Sequence, residues 1–525
     1  MNGIEANGSA EGSFNRSTDH SISRSPDLPI SRLFLLLAAC WFTAAALWIW
    51  PCTWDDSYIL FRYARNFADG VGMVFNPGQR VEGYTSLLWV LVLGTAAKLG
   101  WHPVFVSKVL GVLLSLAVLA ACYFISRRLA TDRAPTYGLA LLLTASNTYF
   151  IVNSTAGLET PLFSAILCWG LAAFLAAEQA PDERVRRRWF EGASVLFALL
   201  ALTRPDGLLT WFLLWLYAAW RLRNRPLDLA RFTLPLLLIY TPYFFWRWHY
   251  YGLPFPNTFY AKSGGTLSLL RKGAIQTCKF AAFQTGGGLG AAAACLSVLV
   301  FPSAEATVLG LAIVSRIIFE LWSGGVTPGE YRFLVPTLPL IWILAERFMG
   351  RIGAFEMRRR YLVPGIAAAL VAAQLGAFGY FRRRNVEPVR QGMERAHVAV
   401  GKWLAAHSAP GAQVAVGDVG AIGYWSGRKI LDLDGLVDTH ISRLGGAFGE
   451  KPDSQYFLRQ DPEFVILRAS LCAPDVTHVS FAPDKGIYLD PQFQAGYVRA
   501  GCWEFWRGYD LVVYQRGRNS EQTHF

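Results

Sequence analysis

The sequence predicts a polytopic α-helical membrane protein with about eleven spans, followed by a C-terminal soluble α/β domain. Three observations carry this. Apolar types make up 53% of the 525 residues and charged types only 16%, whereas an ordinary soluble protein carries about 25% charge. Mean hydropathy is +0.29, so the excess is spread along the chain. From residue 385 onward, short apolar stretches among Gly, Asp and Pro turns replace the long apolar runs. The same figures exclude a disordered chain, which needs few apolar residues and much charge. The 35 Phe, 21 Tyr and 19 Trp suit many helix ends at a water–lipid interface.

Residues 1–31 are polar and rich in Ser, Asn and Gly, and read as a disordered cytoplasmic tail. Leu33 to Trp50 is an apolar run long enough to span. Its flank has no small-x-small cleavage site, so it reads as a retained anchor. Further spans are expected near 103–126, 136–152, 157–177, 189–203, 207–222, 230–248, 287–301, 304–322, 333–347 and 361–380. Residues 32–381 thus form the transmembrane domain. Basic clusters at Arg127, Arg184 to Arg188, Arg221 to Arg225 and Arg358 to Arg360 lie between these runs, as cytoplasmic loops do. They account for the net charge of +12 without a nucleic-acid partner.

An inside N-terminus places all four clusters inside if 85–99 does not cross. As a helix that segment reaches about 22 Å, short of a core of about 30 Å, so it reads as re-entrant or interfacial. An odd number of crossings then puts the C-terminal region outside, against the bias of Arg382 to Arg384. Residues 385–525 form the soluble extracytoplasmic domain. Its expected strands are Val414 to Val416, Lys429 to Leu433, Phe464 to Leu467 and Leu511 to Tyr514, with an amphipathic helix from Val389 to His407. Of eight cysteines, Cys472 and Cys502 fall in this domain and can pair if it is extracytoplasmic. The chain has no P-loop, HExxH, GxSxG, CxxC or long repeat.

Most unusual polar residues fall in the outward loops. Asp55 and Asp56 follow the first span. Adjacent carboxylates repel, which raises one pKa and suits a general base or a cation ligand; an Asp there equally serves as a helix N-cap. Arg62 and Arg65, three apart, suit a phosphate or a headgroup surface. Glu82, beside Tyr84, needs a partner, and Arg80 is nearest. Glu159 opens a span, where a negative charge favours the helix N-terminus. Arg204 and Asp206 lie in a turn between two short spans, where they pair with each other or bind ligand. Asn257, Tyr260 and Lys262 are candidates for phosphate or sugar, and Arg332 for phosphate or interfacial snorkelling. Two carboxylates with Arg204, Lys262 and Arg332 at one face fit a glycosyl transfer. Cations hold a lipid-linked phosphate as leaving group and a carboxylate takes the acceptor's proton. A flippase of a lipid-linked glycan and a non-catalytic assembly subunit are the alternatives.

The strings WDDSYILFRYARNFADGVGMVFNPGQRVEGYTSLLW (Trp54 to Trp89), TAGLET, LTRPDG, YYGLPFPNTFYAK, YRFLVPTLPL and GDVGAIGYWSGRKILDLDGLVD resemble the terminal arabinofuranosyltransferase family of actinobacteria and its wider bacterial relatives, within the GT-C class of membrane glycosyltransferases. The resemblance spans roughly residues 50–440. It implies an inverting transfer from a polyprenyl-phosphate sugar, arabinofuranose in the named family, to a hydroxyl of a cell-envelope glycan or glycolipid. The site would lie at the outer face of the bacterial cytoplasmic membrane. It also implies that the paired acids of the first outer loop are essential, with Asp55 the first choice as base and Asp56 its partner or the ligand of a divalent cation. One departure is that relatives often place an acid after the Gly-Gly before YRFLVP, where Val326 stands here; no metal is assigned.

Overall fold

The computed structural model describes residues 28–129, 138–262, 266–325, 331–353, 359–472, 475–506 and 508–517. Residues 1–27 of the expected cytoplasmic tail lie outside the described residues; the first helix is Leu28–Trp48. Helices occupy nearly every expected span. By length and composition, Pro103–Leu129 and Thr160–Gln179 each suffice to cross a membrane. The pair Leu267–Gln284 and Leu289–Val300, bent by 101°, adds a third if it is one span. The other helices miss that measure for visible reasons. Glu183–Thr203 opens on a basic first turn, and Gly207–Arg221 has only 15 residues. The span expected at 136–152 is split at Asn147, whose side chain accepts from the N–H groups of Tyr149 and Phe150 and starts a new helix.

One expectation is corrected. The stretch between the expected spans 230–248 and 287–301 is not a loop throughout: it contains the helix Thr266–Gln284. Arg271, Lys272 and Lys279 interrupt its apolar pattern and hid it. Its sharp turn into Leu289–Val300 falls at Gly286, Gly287 and Gly288, with φ of +66°, +69° and +86°; only glycine adopts such a run without strain.

The soluble domain carries strands β1 (Gln413–Val416), β2 (Lys429–Asp432), β3 (Phe464–Ala469), β4 (Tyr497–Trp506) and β5 (Tyr509–Arg516). The sheet order is β2-β1-β3-β5-β4; β1 pairs parallel with β2 and β3, and the other pairs are antiparallel. β3 is buried along its length, as a central strand must be. β4 was not expected from the sequence: it is an edge strand with mostly exposed side chains, so it lacks the apolar signal. Cys472 and Cys502 are joined by a disulfide. The helix Arg359–Phe381 runs without a break through Arg382–Val386, Glu387–Gly392 and Met393–Val398 into Ala399–His407. The boundary between the two regions therefore lies inside one helix. Two of these stretches are π-helical; Pro388, which has no N–H to give, lies between them.

The sheet's two faces have different partners. Val414, Val416, Phe464, Ile466, Leu511 and Val513 pack with residues of the segment Trp54 to Trp89, including Tyr58, Phe61, Phe75 and Tyr84. Ala415, Leu431, Val465 and Leu467 face the domain's own core. The soluble domain is thus docked through a shared apolar core, and the helix Val419–Ser426 lies against Asp55–Ala68. A Cβ added at Gly420 would collide with the backbone carbonyl of Asp55. Gly420→Ala is therefore expected to lower the thermal midpoint and to increase proteolysis between the two regions, at a cost of about 1–3 kcal/mol. A midpoint equal to that of the wild type would contradict this packing.

Candidate active site

The helix Asp55–Ala68 starts at Trp54, whose own side chain does not cap it. Its first turn is held by the segment Thr155 to Thr160. Trp54 N–H donates to the Ala156 carbonyl, Ser57 Oγ donates to the same oxygen at 2.6 Å, and Trp89 Nε1 donates to the Gly157 carbonyl. This fixes the direction in which Asp55 and Asp56 point.

The two acids point into different surroundings. Asp55 accepts from the backbone N–H groups of Gly420 at 3.1 Å and Ala421 at 2.8 Å. It caps the helix Val419–Ser426 of the soluble domain. Burial pushes its carboxyl up to about 6, with Asp418 adding to the rise and His397 and the Ala421 N–H opposing it. Asp56 faces a cavity of about 680 Å³ with its side chain 46% exposed. Arg332 Nη1 lies 3.0 Å from its carboxylate. Burial opposes ionisation of Asp56, but Arg332 and Lys262 outweigh it and hold the carboxyl below its usual range. Asp56 faces the cavity, whereas Asp55, the first choice as base that the resemblance implies, is turned to the helix Val419–Ser426.

Arg332 follows Tyr331, which sits at φ +48°. A bulky residue held there is strained by roughly 1–3 kcal/mol. Tyr149 and Phe280 pack edge-on against its ring at 4.9 and 5.6 Å and hold it in place.

Beside this pair runs a buried chain of alternating charge. Arg204 donates to Glu159 at 2.8 Å and to Asp206 at 2.9 Å, and Arg316 pairs with Asp206 at 2.5 Å. Arg204 also stacks on Phe333 at 4.2 Å. These four charges alternate in sign, and Arg332 and Lys262 are the cations that act on Asp56. Tyr84, Glu159, Arg204, Asp206, Lys262 and Arg332 all line the cavity, and Leu436 reaches it from the soluble domain.

Besides Asp55, five sequence candidates do not line it. Arg62 is buried at the docking seam and donates to the carbonyls of Phe75, Gly423 and Arg428 and to Asn76. Arg65 stacks on Tyr424 at 4.5 Å. Glu82 pairs with Arg247, not with Arg80; Arg80 is exposed and stacks on Tyr250. The Asn257 amide donates to the carbonyls of Gly435, Leu436 and Asp438 and accepts from Ser442. Tyr260 packs against Phe259 at 5.3 Å. Sequence proximity suggested ligands where the partners lie up to 366 residues away. A divalent cation does not fit either: Asp55 is taken up by backbone N–H groups, and Asp56 has two cations beside it. Sequence reasoning missed Arg247, Arg316 and Glu320, although Arg316 and Glu320 show as charges inside an apolar run, a functional signal in membrane helices.

A family described as a domain of unknown function (DUF8728) matches residues 388–520. The chain is 30% identical over 232 residues to a terminal beta-(1->2)-arabinofuranosyltransferase of Mycobacterium tuberculosis, covering 41% of this chain and 35% of that protein. It is 29% identical over 255 residues to the enzyme of the same name from Corynebacterium glutamicum, covering 43% and 36%. The matches thus span about a third of the length of these relatives. Among solved structures, ArnT from Cupriavidus metallidurans bound to undecaprenyl phosphate gives a TM-score of 0.57 at 14% identity, covering 93% of this chain and 98% of that one. The Archaeoglobus fulgidus oligosaccharyltransferase gives 0.52 at 12% identity, covering 90% and 73%. The fold is therefore the one shared with these two structures, mostly helical with a C-terminal sheet region.

The seam predicts that Arg62 is structural. Arg62→Met leaves two buried carbonyls and one part-buried carbonyl without this donor, at about 1–3 kcal/mol for each buried one, and is expected to lower the thermal midpoint in detergent strongly. A midpoint unchanged in Arg62→Met would overturn the assignment.

Proposed function

We propose that the chain is an inverting glycosyltransferase. It moves a sugar from a polyprenyl-phosphate donor to a hydroxyl of a cell-envelope glycan or glycolipid at the outer face of the cytoplasmic membrane. The observation that carries this reading is Asp56 in a large cavity beside Arg332 and Lys262. The similarity to arabinofuranosyltransferases and the fold shared with ArnT support it, and arabinofuranose is the first sugar to test.

Asp56 takes the proton of the acceptor hydroxyl as that oxygen forms its bond to the anomeric carbon. The bond from that carbon to the phosphate oxygen breaks from the opposite side, which inverts the centre. The electron pair leaves with the phosphate. Lys262 and Arg332 hold it by charge-assisted hydrogen bonds that strengthen as its charge grows. No step runs through a metal. Asp55 keeps the helix, and so Asp56, in place.

The outer-face orientation rests on two features. The soluble domain contributes Leu436 to the cavity, so domain and cavity share one side. The Cys472–Cys502 disulfide belongs to an oxidising compartment.

Purified protein with polyprenyl-phosphate sugars of several kinds and a synthetic acceptor, read by mass, tests the reading. Asp56→Asn is expected to lose at least about 100-fold in transfer, and Asp55→Asn mainly stability. Wild-type protein that moves intact lipid-sugar across liposomes without a new glycosidic bond would be a flippase instead.

The pH profile gives a separate check. With its pKa lowered by Arg332 and Lys262, Asp56 stays ionised through neutrality, so the acid limb of kcat/KM lies below the usual carboxylate range. Arg332→Gln removes a cation, raises that pKa and should move the limb to higher pH. An unmoved limb in Arg332→Gln rules out Asp56 as the base. For orientation, a cysteine at the exposed Ala495 should react with impermeant reagents in intact cells; protection of that site would reverse the assignment.

A further inference from the structure

Arg382, Arg383 and Arg384 stand where the charge bias of membrane proteins disfavours them. On the outer-face reading they lie at the outer end of Arg359–Phe381, where that helix continues toward the soluble domain. The chemistry above does not use them, and none of them lines the cavity.

Their charge is left uncompensated. Glu387, the nearest acid along the chain, accepts hydrogen bonds from Arg390 and Gln391. Among the described residues, none of the three arginines makes an ion pair or a hydrogen bond. Two of them lie against aromatic rings instead. Arg382 stacks on Trp48 at 4.1 Å and Arg384 on Tyr380 at 5.9 Å. The Trp48 ring also meets Phe378, so the ends of Leu28–Trp48 and Arg359–Phe381 close on each other here. Arg383 and Arg384 are exposed, and so are Trp48 at 59%, Tyr380 at 66% and Leu47 at 59%. Arg382–Val386 is π-helical, a widening that recurs at functional sites.

We propose that Arg382, Arg383 and Arg384, together with Trp48 and Tyr380, bind the phosphate of an anionic phospholipid in the outer leaflet; this rests on the orientation given above. Trp and Tyr rings settle at the level of the headgroups, so they set the arginines at the level of the phosphates. A ring takes up the face of a guanidinium and leaves its edge N–H groups to donate, and that edge matches two phosphate oxygens at once. The occupant is a lipid because exposed Leu47, Trp48 and Tyr380 offer apolar surface beside the charges. Acyl chains cover that surface, whereas a free phosphate gains nothing from it. The site is separate from that of the donor phosphate, which Arg332 and Lys262 hold inside the cavity.

The test uses the full chain in nanodiscs of equal parts phosphatidylglycerol and phosphatidylcholine. A photoreactive p-benzoylphenylalanine in place of Leu47 cross-links the lipids at this spot alone, so the cytoplasmic basic clusters do not contribute. Mass spectrometry reads which lipid is attached. Phosphatidylglycerol is expected to exceed phosphatidylcholine by at least about 10-fold, since each arginine near an anionic headgroup is worth about 5-fold. The triple variant Arg382→Gln, Arg383→Gln, Arg384→Gln should return the ratio to that of the bulk lipid. Arg384→Gln alone should lower it about 5-fold and stands in if the triple variant does not fold. Trp48→Leu, which keeps all three charges, should give a smaller drop. Inorganic phosphate added at constant ionic strength should leave the ratio unchanged; a ratio abolished by it would mean a free-anion site and overturn the lipid assignment. A wild-type ratio equal to the bulk, or the wild-type preference retained in the arginine variants, overturns the site. Protection of a cysteine at Ala495 in intact cells refutes the orientation and the outer leaflet with it; a labelled Ala495 position with silent arginine variants refutes only the site.

Discussion

The carboxylate of Asp55 holds together what would otherwise be two separate bodies. Its two oxygens accept the free N–H groups at the start of Val419–Ser426. A helix N-terminus carries unsatisfied donors and a partial positive charge, so an acid there satisfies both. The remaining seam contacts follow from that placement. Arg62, two turns along the same helix, reaches the Gly423 and Arg428 carbonyls, and Asn76 accepts from the Ile430 N–H. Around Asp55 the soluble domain supplies a second polar layer. His397 and Tyr509 both donate to Asp418, and Arg468 bridges Asp434 and Asp484. Buried polar groups of this kind are stable only when each has a partner, so the seam specifies one docking arrangement.

The cavity shows a different use of charge. Glu159, Arg204, Asp206 and Arg316 alternate in sign and neutralise one another away from water. Such a chain gains little net stability, because desolvation offsets the attraction. Its effect is geometric: it fixes the loops on which Leu158, Pro205 and Phe333 line the cavity. Asp56, with Arg332 and Lys262 beside it, stands apart from that chain and faces the cavity. The same division separates anchoring from reactive charge in the first loop, where Glu82 is spent on Arg247.

The helical class, the strands β1, β2, β3 and β5, and the cavity residues Asp56, Arg204, Lys262 and Arg332 are all legible from local pattern. Each sits where composition or spacing marks it. What was not legible depends on partners far along the chain. Arg62 and Asn257 look like free ligands until the soluble domain closes over them. Nothing local separates Asp55 from Asp56, because the helix that takes up one of them begins more than 360 residues later. The helix Thr266–Gln284 was hidden by its own basic residues, and β4 by its exposed face. The resemblance to known enzymes pointed to the pair without separating its members; the different surroundings of Asp55 and Asp56 appear only in the folded chain.

Synthesis runs from the N-terminus, so the first outer loop emerges long before Gly420, Leu436 or Ser442. Until then Asp55 has no helix to cap, Arg62 and Asn257 have no carbonyls to hold, and the cavity lacks a wall. A ribosome adding about 5–20 residues per second needs tens of seconds to supply them. Through that interval the loop carries its acids, arginines and aromatic face unpaired at the membrane surface. The protein becomes a competent whole only when nearly its last hundred residues have been made.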